Sequence, residues 1–375
     1  MANENKVKVS FLALDPYQET HIPSPAETYD HGKDMMLWGD RNMYPEFLLE
    51  LYASVPTLRS IIDGTTDFIV GDSQTIQVGS FDPGVVDTRG GTIRDLLEAI
   101  SDDYGIFGGF AIQVIRSADG GIAELYHCPL RYLRMNKEAN VFYYSEKWSK
   151  VGNKKVTVYP AFMPITPERW AVLDDNERNR QASSILLVKN TTTQTYPVPV
   201  YQAAVNACET ERNVSLFHLN AVNNGFTSSM IVNFNNGVPS DEMKEEIERG
   251  FMEKFSGAQN AGRICFSWNP DKENATTITE PKVEDFGDRY DALSKFIRQQ
   301  IFTSFRAAPV LFGIPTDNNG FSVDDYENAF RLYNRTMVRP VQRKICDAFD
   351  KIFGRVGVLT ITPFTLDEGT EQKVN

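Results

Sequence analysis

The sequence predicts an α+β fold whose two halves are built differently. Residues 1–199 are rich in short strand-like runs, whereas residues 200–353 carry three long stretches with apolar side chains at helical spacing. Residues 225–285, between the first two long stretches, mix short strand and helix patterns, which indicates a small α/β insert. A chain of 375 residues has room for two or three such structural units.

Strands and short helices alternate in the first half. Apolar residues three and four apart predict helices at residues 45–52, 57–70 and 92–104. Alternating or β-rich runs predict strands at residues 6–13, 110–117, 122–127, 132–135, 141–144, 155–159 and 184–189. Asp119-Gly120-Gly121 separates two of these strands and is typical of a β-hairpin turn.

Two long helices bracket the insert. Residues 200–222 contain no Pro or Gly and keep helical apolar spacing, and Asn224-Gly225 ends that helix. Within the insert, the patterns predict a strand at 229–234, a helix capped by Ser240, and strands at 263–268 and 276–278. The second long helix covers about residues 286–307.

A third long helix follows an apolar-then-polar loop at residues 308–321. Ser322 and Asp325 resemble a capping box, which opens a helix whose apolar stripe continues to Ile352. Pro340 interrupts the stripe without ending it and therefore predicts a kink. A strand at 358–363 closes the fold.

Composition and charge exclude several classes of protein. Lys and Arg number 38 against 50 Asp and Glu, a net charge of −12, so the chain is not a basic nucleic-acid clamp. With 24 Phe and 15 Tyr it is too aromatic for disorder. The apolar stretch at 11–14 is too short for a signal peptide, and no run is long enough to span a membrane. We expect a soluble, intracellular protein without a membrane partner.

No residues with the spacing of a catalytic or metal site occur. The four Cys and four His residues are scattered, and neighbours such as His127 and Cys128 point to opposite faces of a strand. No Gly-Lys-Ser/Thr follows Gly105, Gly108 and Gly109, so we interpret these as a tight turn or a close backbone contact. We therefore predict no catalytic residue, no metal and no cofactor.

Three acidic doublets suggest acid/base chemistry at first sight. They are Asp102-Asp103, Asp174-Asp175 and Asp324-Asp325. Paired catalytic carboxylates face each other across a substrate, which neighbours in sequence rarely do. We interpret the doublets as helix starts or solvated turns, because acidic residues are favoured in the first turn of a helix.

Four stretches, in one order, resemble the portal proteins (head–tail connectors) of tailed bacteriophages. They are FGGFAIQVIRSADGGIAELYHCPLRYLRM at 107–135, ETERNVSLFHLNAVNNGFTSSMIV at 209–232, IRQQIFTSFRAAPVLFGIP at 297–315, and SVDDYENAFRLYNRTMVRPVQRKI at 322–345. The third contains an apolar-Pro-x-Leu-x-Gly pattern, and the fourth carries Pro340 about halfway along. The likeness rests on the ordered set rather than on a single motif.

The resemblance implies a ring-forming portal fold with named parts. These are a wing at 1–199, stem helix 1 at 200–224, a clip at 225–285, stem helix 2 at 286–307, a tunnel loop at 308–321, the rest of the wing at 322–364 and a short tail at 365–375. Eleven residues after Phe364 are too few for the helical crown of larger relatives, so a crown is expected to be absent.

The resemblance also implies partners. It implies a homo-oligomeric ring, a dodecamer, at one capsid vertex of the virion, assembled in the host cytoplasm. Double-stranded DNA would pass through it during packaging and ejection without sequence recognition. The expected protein partners are the terminase large subunit, the major capsid and scaffold proteins, and the head–tail adaptor.

The predicted site residues follow from that assignment. The tunnel loop would place Pro315, Thr316, Asp317, Asn318, Asn319 and Gly320 at the DNA channel. These side chains are polar or small and none is basic, which suits sliding; an ordinary surface loop is the alternative. Lys295 and Arg298 on stem helix 2 either face the DNA or belong to a solvated helix face.

Charge and helix patterning agree with a ring, while two other functions stay open. A long helix with one apolar stripe needs a neighbour to bury it, and about twelve copies would carry a formal charge near −140, which repels DNA. The first alternative is another head–tail adaptor or tail-completion protein of a phage or prophage. The second is a metabolic enzyme that uses the region of His127 and Cys128.

Overall fold

The computed structural model describes most of the chain. The described residues are 9–10, 22–77, 86–148, 156–223, 230–234, 239–255, 264–268, 286–314 and 323–365. The helices are α1 (Tyr44–Ser54), α2 (Pro56–Val70), α3 (Ile93–Phe107), α4 (Pro167–Val172), α5 (Asp175–Gln181), α6 (Val205–Asn223), α7 (Asp241–Phe255), α8 (Phe286–Ser304), α9 (Val323–Tyr333) and α10 (Arg339–Phe353).

Short strands accompany these helices. They are β1 (Val9–Ser10), β2 (Thr28–Asp30), β3 (Met35–Leu37), β4 (Ser73–Ile76), β5 (Gly109–Arg116), β6 (Ile122–His127), β7 (Leu133–Met135), β8 (Val141–Tyr144), β9 (Thr157–Pro160), β10 (Ser183–Lys189), β11 (Met230–Phe234), β12 (Ile264–Trp268) and β13 (Leu359–Thr362). The mixture of helix and sheet confirms the predicted α+β class. Of the described helices, none is both long and apolar enough to cross a membrane.

The chain divides into two compact units. The first unit comprises Met1–Ile22 and Thr210–Lys295, and the second comprises Pro23–Glu209 and Phe296–Asn375. In the first unit, β11 and β12 pair in parallel, and β1 adds antiparallel to the other edge of β12. Parallel neighbours need a crossover, and α7 supplies it between β11 and β12, as the predicted α/β insert requires. Ser240 begins α7, with its hydroxyl accepting from the Met243 amide at 3.4 Å.

The second unit contains a five-stranded, a three-stranded and a two-stranded sheet among its described residues. One has the strand order β2-β3-β7-β8-β9 and another the order β10-β5-β6, and all the pairs within them are antiparallel. The hairpin predicted at Asp119-Gly120-Gly121 joins β5 to β6. The last strand, β13, pairs antiparallel with β4, so residues near 360 complete a sheet begun near residue 73.

The main core of the second unit lies where α2, α3 and α10 meet the β10-β5-β6 sheet. Its fully buried members include Leu97, Phe110, Ile345 and Phe349. Burying a side chain of this size stabilises a fold by about 1.5–3 kcal/mol. The predicted apolar stripes of these helices are therefore the faces that pack inward.

Gly105, Gly108 and Gly109 are close backbone contacts, as interpreted from the sequence. A Cβ on Gly105 would lie 2.8 Å from Ile62 on α2, and one on Gly109 would lie 2.6 Å from the Val188 carbonyl. Gly108 ends α3 in the left-handed conformation at φ 82°, where a Cβ would lie 2.0 Å from the Val198 carbonyl. Helix and strand approach this closely only because side chains are absent.

Pro340 lies at the start of α10, directly after a π-helical turn at Asn334–Val338. The Arg339 amide bonds to the Asn334 carbonyl, five residues back. Proline has no amide hydrogen and its ring crowds the preceding turn, so a wider turn accommodates it. The sequence predicted a kink at Pro340; the structure shows a change of helical hydrogen bonding there, and the kink itself stays a prediction.

Some elements escaped the sequence patterns. Strands β2, β3 and β4 have three or four residues each, too few for alternation to show, and α4 and α5 are short polar helices. Only the start of α5 was indicated, by the doublet Asp174-Asp175, where the Asp174 carboxylate accepts from the Glu177 amide at 2.8 Å. Of the predicted strand at 6–13 only Val9–Ser10 is described, and both the strand at 276–278 and Ser322 lie outside the described residues.

A pair of glycine substitutions tests the close contact at the end of α3. Gly354 caps α10 in the same left-handed conformation, at φ 68°, but has no atom within 4 Å of its added Cβ. We expect Gly354→Ala to lower the free energy of unfolding by about 1–2 kcal/mol, the cost of the conformation alone. Gly108→Ala should cost about 2 kcal/mol more because Val198 must move. Calorimetric unfolding of both variants measures the difference, and equal losses would contradict the packing described here.

Candidate functional site

The predicted channel residues 315–320 lie outside the described residues, but both ends of their loop are described. Before it, Pro309–Phe312 form a 3-10 turn that closes at Gly313 in the left-handed conformation. After it, α9 begins at Val323. The first residues of the predicted tunnel loop, 308–312, are thus a packed turn rather than an open loop, since Leu311 is buried in the core.

One aromatic cluster holds both ends of this loop. Phe312, before the loop, lies 6.4 Å from Phe68 and 5.8 Å from Tyr333 between ring centroids. Phe330, after the loop, lies 5.4 Å from Phe68 in an edge-to-face contact. Because Phe68 is on α2, the two ends are fastened to the same buried helix. Aromatic pairs at these distances add about 0.5–1.5 kcal/mol beyond burial, so the described residues on both sides of the loop are firmly packed.

Close packing extends to the α2 backbone beneath Phe312. A Cβ on Gly64 would lie 3.0 Å from the Phe312 ring, so the ring rests directly on α2. The Tyr333 hydroxyl lies 2.7 Å from the Thr65 hydroxyl, and burial raises the pKa of Tyr333 to about 12. Burial therefore favours the uncharged phenol, the form that makes this hydrogen bond.

Lys295 and Arg298 both lie on α8 and both are exposed to solvent. Lys295 is the last residue of the first unit's α8 segment, and Arg298 belongs to the second unit. Each interacts with other groups of the chain. Their exposure is compatible with either assignment made from the sequence, a DNA-facing role or a solvated helix face, and the DNA-facing role stays a prediction.

The two long helices leave large apolar side chains exposed. On α6 they are Leu216, Phe217 and Leu219, which are 44%, 53% and 55% exposed, and on α8 they are Leu293 and Phe296, at 40% and 56%. Phe296 belongs to the second unit, whereas Leu216, Phe217, Leu219 and Leu293 all belong to the first. An isolated exposed apolar residue needs no explanation, but four within one unit are a candidate contact surface. We call these four residues the stem apolar surface.

Stacked rings join α6 to α8 within each unit. In the first unit Phe217 stacks on Tyr290 at 5.5 Å, and in the second unit Tyr201, just before α6, stacks on Phe305, just after α8, at 5.5 Å.

His127 is engaged in a structural contact. Its Nε2 lies 2.8 Å from the Asp103 carboxylate, which also accepts from the Leu130 amide at 3.0 Å. Burial raises the pKa of the neighbouring Cys128 thiol to about 12, so it is not a nucleophile at physiological pH. Two cavities of about 310 and 420 Å³ are lined by other residues, such as Trp38 and Tyr44 in one and Phe296 and Thr303 in the other. His127 therefore does not line either cavity.

One interpretation of the acidic doublets was wrong. Asp102 and Asp103 lie in the second half of α3, not at a helix start or a solvated turn, and Asp103 is buried. Asp102 accepts from the Thr66 hydroxyl at 2.8 Å, and burial raises its pKa. The other two doublets lie at the starts of α5 and α9, as predicted. No group of three His, Cys, Asp or Glu within the described ranges is placed to hold a metal ion.

A buried arginine that the sequence did not reveal organises the larger sheet. Arg134 on β7 is fully buried, donates to both the side-chain and backbone oxygens of Asn42, and also donates to the Leu133 and Arg131 carbonyls. Burial lowers its pKa to about 10, so it remains charged. Trp38 and Trp148 lie over its guanidinium at 5.8 and 5.1 Å. Because arginine is usually exposed, periodicity alone gives no signal for this role.

Comparison with known families gives a match over most of the chain. The model of the family described as "Phage portal protein" matches residues 89–366. No curated protein matches the chain.

Solved structures also resemble the chain. The neck of an empty gene transfer agent particle, computed with C6 symmetry, matches with a TM-score of 0.52 and 17% identity, covering 92% of this chain and 87% of the other. The neck of the native particle, computed with C12 symmetry, matches with a TM-score of 0.50, 18% identity and the same coverage. An HK97-family phage portal protein from Corynebacterium diphtheriae matches with a TM-score of 0.45 and 13% identity, covering 80% and 88%. At this identity the first two likenesses establish the fold alone.

Truncating Phe312 tests whether the aromatic cluster stabilises the residues on both sides of the loop. We expect Phe312→Ala to lower the free energy of unfolding by about 3–5 kcal/mol, because it empties the space between Phe68 and Tyr333. Leu332→Ala, at a position 64% exposed on α9, should change it by less than about 0.5 kcal/mol. Thermal unfolding followed by near-ultraviolet circular dichroism compares them. A small loss for Phe312→Ala would show that the base of the loop is not held by this cluster.

Proposed function

The chain belongs to the phage portal protein family, and from this premise we propose that about twelve copies form a ring at one vertex of a capsid, through which double-stranded DNA is packaged and later ejected. The family match is the observation that carries the proposal. The fold shared with a particle neck of C12 symmetry supports the twelvefold number.

Features of the described residues support a ring. In a ring each subunit contacts its neighbours through two different surfaces, so each copy must present apolar area that a single chain leaves uncovered. The stem apolar surface on α6 and α8 is such an area. The loop base formed by Phe312, Phe68 and Phe330 would hold the tunnel loop, with Pro315–Gly320 at the channel, at a fixed position in every subunit.

The net negative charge of the chain favours movement of DNA through the channel over tight binding of DNA. Twelve copies at −12 each would give a formal charge near −140. Each phosphate that a protein neutralises releases counterions and adds affinity, which would oppose movement of the duplex. The predicted channel residues Thr316, Asp317, Asn318 and Asn319 carry no positive charge. Lys295 and Arg298 on α8 would be the two positively charged residues of the channel, and they would contact the DNA only weakly.

The proposed parts and partners follow the family. The residues 225–285 would be the clip, which meets the terminase large subunit during filling and the head–tail adaptor afterwards. The wing, at 1–199 and 322–364, would contact major capsid and scaffold proteins. The ring would assemble in the host cytoplasm and remain in the virion. The chain would act as a structural component without a catalytic step, in keeping with the engagement of His127 and the neutral Cys128 thiol.

The alternative functions have less support. A head–tail adaptor or tail-completion protein was the first alternative, but the matching family model describes portal proteins. An enzyme built around His127 was the second, and the Asp103 contact gives that histidine a structural partner. We therefore retain the portal function alone.

Ring formation tests the proposal directly. We expect the purified protein, expressed with scaffold protein where it needs one, to give annular particles of about a dozen subunits by native mass and negative-stain imaging. The double variant Leu219→Ser/Leu293→Ser should lower the ring fraction, because it makes the stem apolar surface polar. Val172→Ser/Val356→Ser, at positions 81% and 91% exposed away from α6 and α8, is the control and should keep the rings. A persistent 42.4 kDa monomer would contradict the proposal.

A single charge reversal tests the proposed channel loop. We expect Asp317→Lys to slow or stall DNA packaging while rings still form, because it replaces a negative charge by a positive one beside the moving phosphates. Packaging by purified terminase into procapsids is the measurement. Asp175→Lys, the same reversal at an exposed position at the start of α5, controls for a general effect of charge. Normal packaging by the Asp317 variant would remove this residue from the channel wall.

A further inference from the structure

Four arginines recur at every fourth position along α9, the π-helical turn and α10. We call them the arginine row: Arg331, Arg335, Arg339 and Arg343. All four are exposed. No Asp or Glu occurs between residues 328 and 346, although the whole chain carries −12. A solvated helix face usually mixes both signs of charge, so an unbroken basic row in an acidic protein calls for an explanation.

Few contacts within the described part of the chain occupy the row. Arg331 pairs with Glu327 at 2.9 Å on the exposed surface of α9. Across the described ranges, the other three arginines form no ion pair and no side-chain hydrogen bond. An exposed Arg–Glu pair contributes at most about 1 kcal/mol, so even Arg331 can exchange its partner for a stronger anion.

The π-helical turn helps to keep the row on one face. In an α-helix of 3.6 residues per turn, positions four apart drift by about 40° at each step. The turn at Asn334–Val338 has hydrogen bonds to the fifth residue back and is wider, so it carries more residues per turn and offsets this drift. The opposite face holds the buried Tyr333, Val341 and Ile345, so the row points away from the core.

The chemistry of the row fits a long, regular polyanion. Guanidinium groups bind phosphate oxygens in pairs of parallel hydrogen bonds, and the row extends over about 18 Å at 1.5 Å per residue. Duplex DNA presents one negative charge per about 1.7 Å of its axis, so several phosphates fall within that length. The acidic side chains of another copy fit less well, because the described clusters are short, such as Asp241–Glu246 within the first turns of α7.

We propose that the arginine row is a binding site for the phosphate backbone of double-stranded DNA, without base recognition. This inference rests on the proposed portal function in one respect: that function brings DNA close to the protein. Contacts of this kind retard a moving duplex, so the row is a holding contact, in contrast to the uncharged residues expected in the tunnel loop.

Salt dependence of DNA binding tests the row. The probe is a fluorescein-labelled 30-base-pair duplex of mixed sequence, titrated with full-length protein at several salt concentrations and followed by anisotropy. The logarithm of the affinity falls with the logarithm of salt by about 0.9 for each phosphate neutralised. We expect Arg335→Gln/Arg339→Gln/Arg343→Gln to reduce that slope by about 3. Replacing the same residues by Lys should keep the slope while weakening binding, because the charge remains and the paired geometry is lost.

A matched control removes three other exposed arginines of the second unit. Arg59→Gln/Arg94→Gln/Arg180→Gln loses the same charge and should leave the slope as in the wild type. Equal slopes for the row and control variants, or no duplex binding by the wild type at 50 mM salt, would overturn the proposal. So would a row variant that loses rings but keeps the slope, since the arginines would then join copies of the chain.

Ring formation, scored by imaging on the same samples, separates the two proposals. A wild type that forms rings without binding DNA refutes the arginine row and leaves the portal function intact. Binding through the row by a protein that never forms rings refutes the ring instead.

Discussion

The packing of α9 and α10 against the C-terminal end of α2 positions most of the functional features of the second unit. Helix ends leave carbonyls without partners, and the buried Gln342 side chain of α10 donates to those of Ile69 and Phe68 at 3.0 and 3.4 Å. Leaving such buried groups unsatisfied costs about 1–3 kcal/mol each. The same contact places Phe330 and Tyr333 against Phe68. The loop base, the outward direction of the arginine row and the pairing of β13 with β4 all depend on this one docking.

Two buried polar side chains, Asp103 and Arg134, hold neighbouring backbone segments in position. Asp103 and His127 have the spacing of a catalytic pair, yet Asp103 also accepts the Leu130 amide and so fixes the corner after β6 against α3. Arg134 works in the same way between β7 and the turn that contains Asn42. A polar side chain that is taken out of water costs free energy unless it is hydrogen-bonded, and nearby amide and carbonyl groups supply partners for these side chains.

Much of the fold could be predicted from the sequence because its helices are long and strongly periodic. The stripes of α2, α3 and α10 marked the buried faces, and the Pro-free stretch at 200–222 marked α6 with its preceding 3-10 turn. On α8 the stripe was only partly right, since Ile297 and Ile301 are buried but Leu293 is 40% exposed. Strands of three or four residues gave too little pattern, and a buried Arg134 contradicts the usual exposure of its residue type. The portal family was recognisable from an ordered set of stretches. The arginine row was visible as spacing, but only the described burial and ion pairs distinguish it from an ordinary solvated face.

The pairing of β13 with β4 determines when the chain can finish folding. The partners Ser73 and Thr362 are separated by about 290 residues, so at about 5–20 residues per second a ribosome needs roughly 15–60 s to synthesise the second strand after the first. During that interval α2 has neither Gln342 nor the aromatic residues of α9 to cover it. The nascent second unit therefore leaves the end of α2 uncovered until the last helices and β13 have been synthesised.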